Sequence, residues 1–263
     1  MRQRDNQWRQ ARLRDVTASR FADALTTPVA KGVFSIAGEK GAWHVVREGE
    51  TITGDFTRQT DAKERQAELV AEWCKTHWSR TAHRYMVSLC GERMRNLPSD
   101  LLDVPATRWG NDWEQEAFAE ALPLIEDIFG AKLSVPVGEY AYIRHPTEDG
   151  IGCSPDGIIG DDWLLELKCP YNFVNHDLTV ALGTIPPEHI PQVQGSLWIT
   201  GRKGYAFGSF DPRLRRAGRD PLFLCRVERD DDYIDNVLAP RVIAFRDWLR
   251  AEYDALVGGV QPF

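Results

Sequence analysis

No run of about 18 consecutive apolar residues occurs in this 263-residue chain, so a membrane-spanning helix is not expected. The opening stretch MRQRDNQWRQARLRD has no apolar core, so a secretory leader is not expected there. The five cysteines are Cys74, Cys90, Cys153, Cys169 and Cys225. No two stand at CxxC spacing, which argues against a zinc ribbon or a clustered iron–sulfur site. Scattered thiols instead fit a reducing cytoplasm, where they act as small buried hydrophobes. Internal repeats and low-complexity tracts are also lacking.

Hydrophobic residues make up 43% and charged residues 27%, which is ordinary for a globular protein. The length suffices for one large domain or two small ones. Nine Trp are present, and most are expected in the core. The formal charge is −7, but it is unevenly spread. Residues 1–20 hold six Arg against two Asp, and residues 201–219 hold five Arg and one Lys against Asp211 alone. Lys75, Arg80, Arg84, Arg93 and Arg95 stand against Glu92 in residues 75–95. Residues 110–130 have no Lys or Arg and six acids. Separate basic and acidic surfaces are thus available, to bind a polyanion or simply to be solvated.

Periodicity gives a coarse map. Residues 8–25 read as a basic segment and then a helix, capped by Thr17 or Ser19, with Phe21, Ala24 and Leu25 on its apolar face. Residues 33–57 read as a Gly-punctuated hairpin or elaborated loop. Helices are predicted over 61–78, with Ala67, Val70, Trp73, Cys74 and His77 on one face, and over 80–91. A further helix spans 111–129, with Trp113, Ala117, Leu124, Ile125 and Ile128 as core contacts and a kink or break at Pro123. Strands are predicted at 137–144, 151–159 and 163–168, helices at 173–182 and 187–199, and strands at 204–210 and 221–228. An amphipathic helix over 231–255 closes the chain. This order predicts one α/β domain over residues 1–263, a mixed sheet flanked by helices.

The chemistry concentrates in Cys153-Ser154-Pro155-Asp156-Gly157 and Leu165-Glu166-Leu167-Lys168-Cys169-Pro170. Strand alternation points Glu166 and Lys168 one way and Leu165 and Leu167 the other. Asp156 ends the preceding strand, where hairpin pairing brings it beside Glu166. Two converging carboxylates, with the Leu167 backbone carbonyl as a further oxygen, suit Mg²⁺. Lys168 beside them can orient a water and offset charge growing on a phosphate. Such a set makes a phosphodiester hydrolase. The bare D…ExK pattern turns up roughly once by chance in a chain this long, and a plain surface hairpin is the alternative. The Pro-Asp-Gly strand end, the alternating apolar strand and Glu114 on an acidic helix favour the nuclease. His44, His145, His176 and His189 have no part in this mechanism and are expected to be surface or structural.

Further blocks are Trp8…Arg12…Val16-Thr17-Ala18-Ser19, Trp109-Gly110-Asn111-Asp112-Trp113-Glu114, Pro191-Gln192-Val193-Gln194-Gly195-Ser196-Leu197-Trp198-Ile199-Thr200 and Phe210-Asp211-Pro212-Arg213. With the central stretch, they make the chain resemble the phage lambda-type exonucleases, also called alkaline exonucleases or viral recombinases, of the PD-(D/E)xK superfamily. The resemblance implies a restriction-endonuclease-like core and a processive exonuclease on double-stranded DNA ends. That enzyme digests the 5′-phosphorylated strand and leaves a 3′ tail. It implies Mg²⁺, replaceable by Mn²⁺, held by Asp156 and Glu166, with Lys168 catalytic and Glu114 near the metal or bound through water. It implies a 5′-phosphate pocket of Arg12, Ser19, Ser154 and Gln192. It also implies a homotrimeric ring, a single-strand annealing protein as partner, and the cytoplasm of a bacterial or phage-infected cell. Residues 30–60 depart from the family as a longer elaboration. A restriction-like endonuclease and a DNA-end-binding scaffold that does not cut remain the alternatives.

Overall fold

The computed structural model describes Gln3 and residues 5–98 and 105–258. By internal contacts it divides into two compact units, Met1–Leu25 with Met86–Phe263, and Thr26–Tyr85.

In the first unit, α1 (Asn6–Arg12) is capped by Asp5, whose side chain accepts from Trp8 N. The basic N-terminal segment is therefore itself helical. It leads through β1 (Val16–Thr17) and a 3-10 turn (Ala18–Arg20) into α2 (Phe21–Leu25). Thr17 makes no side-chain cap. Its hydroxyl lies 3.3 Å from that of Ser19 instead.

The second unit holds the antiparallel strands β2 (Phe34–Glu39), β3 (Ala42–Arg47) and β4 (Glu50–Thr51), then α3 (Gln59–Thr76). The hairpin expected here is thus a three-stranded sheet. On α3, Ala62 is buried, Val70, Trp73 and Cys74 are half-buried, and Ala67 is exposed. His77 lies just beyond its end, exposed. Helix α4 (Arg80–Arg95) runs from this unit into the first.

Helix α5 (Pro105–Phe129) starts earlier than expected and passes through Pro123 unbroken. Ala119 and Pro123 are both exposed, so water can take the carbonyl that Pro123 leaves without a donor. Its buried stripe is Ala117, Ala121 and Ile125, at i, i+4 and i+8. Leu124 and Ile128, expected in the core, are exposed.

The main sheet has the order β11-β10-β9-β8-β5, comprising β5 (Leu133–Ser134), β8 (Gly157–Ile159), β9 (Trp163–Lys168), β10 (Gly204–Phe210) and β11 (Leu222–Glu228). Strands β9 and β10 run parallel and the other neighbours antiparallel. One face packs Leu165, Leu167 and Ala206 against Ala117, Ala121 and Ile125 of α5. The other packs Leu164, Tyr205 and Phe207 against Val193 and Leu197 of α7 (Ile190–Thr200). Every residue of β10 is buried, as a strand covered on both faces requires. The predicted α/β class, a mixed sheet flanked by helices, is borne out.

The strand expected over 137–144 is mostly a 3-10 turn (Gly138–Ala141), with β6 (Ile143–Arg144) at its end. Gly138 sits at φ 64°, which breaks an extended run. The strand expected over 151–159 is two strands. β7 (Ile151–Cys153) pairs with β1 and β6 in a small sheet, whereas β8 belongs to the main one. Ser154-Pro155-Asp156 spans the gap, where Pro155 has no N–H to continue a ladder. Helix α6 (Phe173–Leu182) lies between β9 and α7. The last helix carries a π turn (Ile234–Leu238) before α9 (Ala239–Val257).

Candidate active site

Asp156 and Glu166 meet through the β8–β9 pairing. Gly157 faces Leu165, so one step further sets Asp156 against Glu166. Asp156 N donates to Leu165 O at 2.9 Å, and its Oδ2 accepts from Leu167 N at 2.8 Å. These two bonds fix the carboxylate at the strand end. Gly157 is needed for the approach, since a Cβ there would lie 2.8 Å from Leu133 Cδ1 and 2.9 Å from Leu165 Cβ.

Glu166 is buried. Its Oε1 accepts from Lys168 Nζ at 2.5 Å and from Gln192 Nε2 at 2.7 Å. Lys168 Nζ also donates to Gln192 Oε1 at 3.0 Å. Gln192 is thus tied to the carboxylate–lysine pair from α7, across the sheet face. Glu166 Oε2 is buried with no hydrogen-bond partner among the described residues.

Burial, then the charges of Glu166 and Glu114, hold the Asp156 carboxyl well above the usual carboxylate range, against Lys168 and the Leu167 N–H. Burial pulls the Lys168 ammonium down. Glu166 and Asp156 outweigh it, and the Lys168 pKa stands raised. Lys168 therefore stays charged.

The N-terminal elements close the same cleft. Arg12 Nη2 donates to Ser19 Oγ at 3.4 Å and Thr17 Oγ1 at 3.5 Å, and its guanidinium lies 4.1 Å from the centre of the Trp8 ring. Trp8 Nε1 donates to Ser154 Oγ at 2.9 Å and to Ala141 O at 3.0 Å. Gln3 Nε2 donates to Pro155 O at 2.6 Å. The start of α2 is set by Gly195 of α7, where a Cβ would meet Phe21 Cδ2 at 2.4 Å.

One cavity of about 250 Å³ is lined by Arg12, Ser19, Glu114, Ser154, Asp156, Glu166, Leu167, Lys168 and Gln192. All nine sequence-selected residues therefore share one cleft. Within it Gln192 bonds Glu166 and Lys168 rather than Arg12. Gln3, Trp8, Thr17, Ala18 and Ser196 also line it, and none of these was assigned a site role from sequence, although all but Gln3 stand in the blocks that carry the resemblance. Thr17 joins because β1 pairs with β7, placing Thr17 opposite Gly152, and no local pattern announces that.

His176 is buried with Nδ1 2.9 Å from Ser209 Oγ. His145 lies tilted against Trp198 at 4.5 Å, and His189 lies 5.4 Å from Phe207. His44 faces Asp55 at 3.3 Å. None of the four lines the cleft. All five cysteines are free thiols, and burial pushes Cys153 up to about 12, which suits inert packing.

Residues 66–203, just over half of the chain, match the YqaJ-like viral recombinase domain. The chain belongs to this family. The resemblance to lambda-type exonucleases read from the sequence is thereby borne out. This YqaJ-like chain superposes on an alkaline exonuclease, LHK-Exo from Laribacter hongkongensis, with TM-score 0.67 and 28% identity over 97% of both chains. It matches the complex of LHK-Exo with dAMP at TM-score 0.67 and 29% identity, again over 97% of both. It is also 30% identical to the ExoD protein of Escherichia coli over 76 residues, 28% of this chain and 84% of that one. A phage-related exonuclease from Haemophilus somnus shares the fold alone, at TM-score 0.55 and 13% identity over 94% of this chain and 96% of that one.

Proposed function

We propose that this protein is a Mg²⁺-dependent 5′-to-3′ exonuclease. It digests one strand of linear double-stranded DNA from a 5′-phosphorylated end and leaves a 3′ tail for strand annealing. That it is a DNA nuclease rests on the family match and on the likeness to an alkaline exonuclease along nearly the whole chain. The finer reading rests on one observation. A single cleft joins Asp156, Glu166 and Lys168 to the cationic, hydroxyl-bearing end formed by Arg12, Ser19 and Ser154.

The residues fit a hard cation. Glu166 Oε2 is buried without a partner among the described residues, and two acidic neighbours crowd Asp156. Asp156, Glu166 and the Leu167 carbonyl would hold Mg²⁺, with Glu114 nearby or bound through water. Two carboxylates and one carbonyl would leave the rest of an octahedral shell to waters, which Mg²⁺ keeps. Mn²⁺ is expected to substitute. Bound there, Mg²⁺ supplies Lewis acidity and an acidified water. Lys168, held charged beside Glu166, offsets negative charge that grows on the scissile phosphate. Gln192 fixes the Lys168–Glu166 geometry. Arg12, stacked on Trp8, offers its fork to the terminal phosphate, with Ser19 and Ser154 as hydroxyl donors.

A homotrimeric ring with a basic inner face would reconcile the −7 charge with a polyanionic substrate. Sedimentation equilibrium at a monomer mass would remove that extension. A single-strand annealing protein as partner and a cytoplasmic setting belong to the same reading.

Two variants test the roles. Lys168→Ala is expected to lose metal-dependent degradation by at least about 100-fold while still binding duplex ends. Arg12→Ala is expected to narrow the rate difference between 5′-phosphate and 5′-hydroxyl ends. An unchanged preference removes Arg12 from the phosphate pocket, and undiminished cleavage by Lys168→Ala removes Lys168 from the mechanism.

A further inference from the structure

The cleft does not end at Asp156. A larger cavity of about 670 Å³ adjoins it, with Gln3, Glu114 and Asp156 shared by both. Its other walls are Asn111, Gln115 and Phe118 of α5 and the segment Val135-Pro136-Val137 after β5. The chemistry changes across the shared wall. The Arg12 side offers a guanidinium, hydroxyls, an amide and an ammonium. The far side is chiefly apolar, with two amides and no Lys or Arg among its described lining residues. Val135 and Val137 are 60% and 53% exposed there.

The order of groups along this trough carries the inference, which rests on the functional reading above. With the terminal 5′-phosphate at Arg12 and the scissile phosphate at Asp156 and Glu166, the leaving nucleotide lies between them. The next nucleotide must then lie beyond Asp156, on the side away from Arg12. We propose that the Phe118–Val137 cavity seats the base and sugar of this second nucleotide, immediately 3′ of the scissile bond. Its volume falls in the range of roughly 300–1,000 Å³ typical of small-ligand sites. The apolar character of its described lining residues suits the uncharged parts of a nucleotide. An apolar wall accepts any base, because every base has an apolar face. An exonuclease that must advance through all sequences needs that indifference, whereas hydrogen bonds to base edges would impose a preference. Asn111 and Gln115 can donate to sugar or phosphate oxygens, which fix position without reading sequence.

The test couples a protein change to a substrate change. Both valines are exposed, so the double variant Val135→Ser/Val137→Ser should fold. Val137→Ser alone serves if the melting temperature falls. Wild type and variant are compared, with Mg²⁺, on 5′-phosphorylated linear duplexes whose digested strand is intact or carries one abasic site at position 1, 2 or 3. On intact DNA the variant is expected to raise KM about tenfold with little change in kcat, the loss of one base contact. An abasic site at position 2 should abolish the difference between variant and wild type, while sites at positions 1 and 3 should leave it standing. The assignment is overturned if the variant shows no deficit, if the deficit persists with position 2 abasic, or if it vanishes only with position 1 abasic. If wild type does not shorten the intact 5′-phosphorylated strand, the functional reading itself fails. If it does and coupling at position 2 is missing, only the second-nucleotide site falls.

Discussion

Glu166 has two oxygens with different fates. One is held by Lys168 and Gln192, and the other is buried without a partner among the described residues. Asp156 beside it is crowded by the carboxylates of Glu166 and Glu114. The sign of the pH dependence follows. The folded pKa of Asp156 is raised, so its contribution to stability is fully present below the unfolded pKa and is lost as pH rises through the folded value. A cation that binds only the ionised carboxylate reverses that loss. The rise in melting temperature on adding Mg²⁺ is therefore expected to grow from acidic to alkaline pH. Scanning calorimetry across pH checks this, and a Mg²⁺ effect that is flat or larger in acid would count against Asp156 as a ligand. At this scale the sequence was informative. Period-two alternation set Glu166 and Lys168 on one face and Leu165 and Leu167 on the other, and Leu165 and Leu167 pack in the α5 cluster while Leu164, on the Glu166 side, packs in the α7 cluster. The tie from Gln192 to Glu166, and the arrival of Trp8 and Thr17, were not legible, because each depends on contacts between segments far apart in the chain.

At the scale of elements, the cleft forms where strands change sheets. Residues 151–159 alternate well enough to read as one strand. The missing N–H of Pro155 hands β7 to one sheet and β8 to another, and leaves Ser154 and Asp156 at the break. Local pattern could not show that, since sheet membership is decided by partners elsewhere. Helix α7 then joins the two ends of the site. It presents Gln192 to Glu166 and, through Gly195, lets Phe21 close in so that Ser19 and Arg12 reach the cleft. Gly195→Ala would force a Cβ to within 2.4 Å of the fully buried Phe21 ring. Overpacking of this kind is expected to cost about 1–3 kcal/mol, read as a lower urea midpoint, and to weaken the preference for 5′-phosphate. An unchanged midpoint would mean that the α2–α7 contact is slack. The loop after Lys168 has its own brace. Arg213 is held by Asp211 at 2.7 and 2.9 Å and donates to the carbonyls of Pro170 and Tyr171.

At the scale of the whole molecule, the charge blocks are less separate than the sequence suggests. Arg215 of the basic 201–219 segment pairs with Glu116 and Glu120 of the acidic helix α5, so part of each block neutralises the other. The α/β class and a mixed sheet flanked by helices were readable, because long periodic segments announce themselves. The start of α5, its passage through Pro123 and the fate of residues 137–144 were not, and in the last a left-handed Gly138 broke the extended run. Polarity and dependence on DNA ends distinguish the proposed activity from its alternatives. Purified protein with Mg²⁺ should be given linear 5′-phosphorylated duplexes labelled separately at each 5′ and 3′ end, beside a covalently closed circle. The expected result is early loss of the 5′ labels, strands that shorten while keeping their 3′ labels, and an intact circle. Early loss of the 3′ labels, or cutting of the circle, would contradict it.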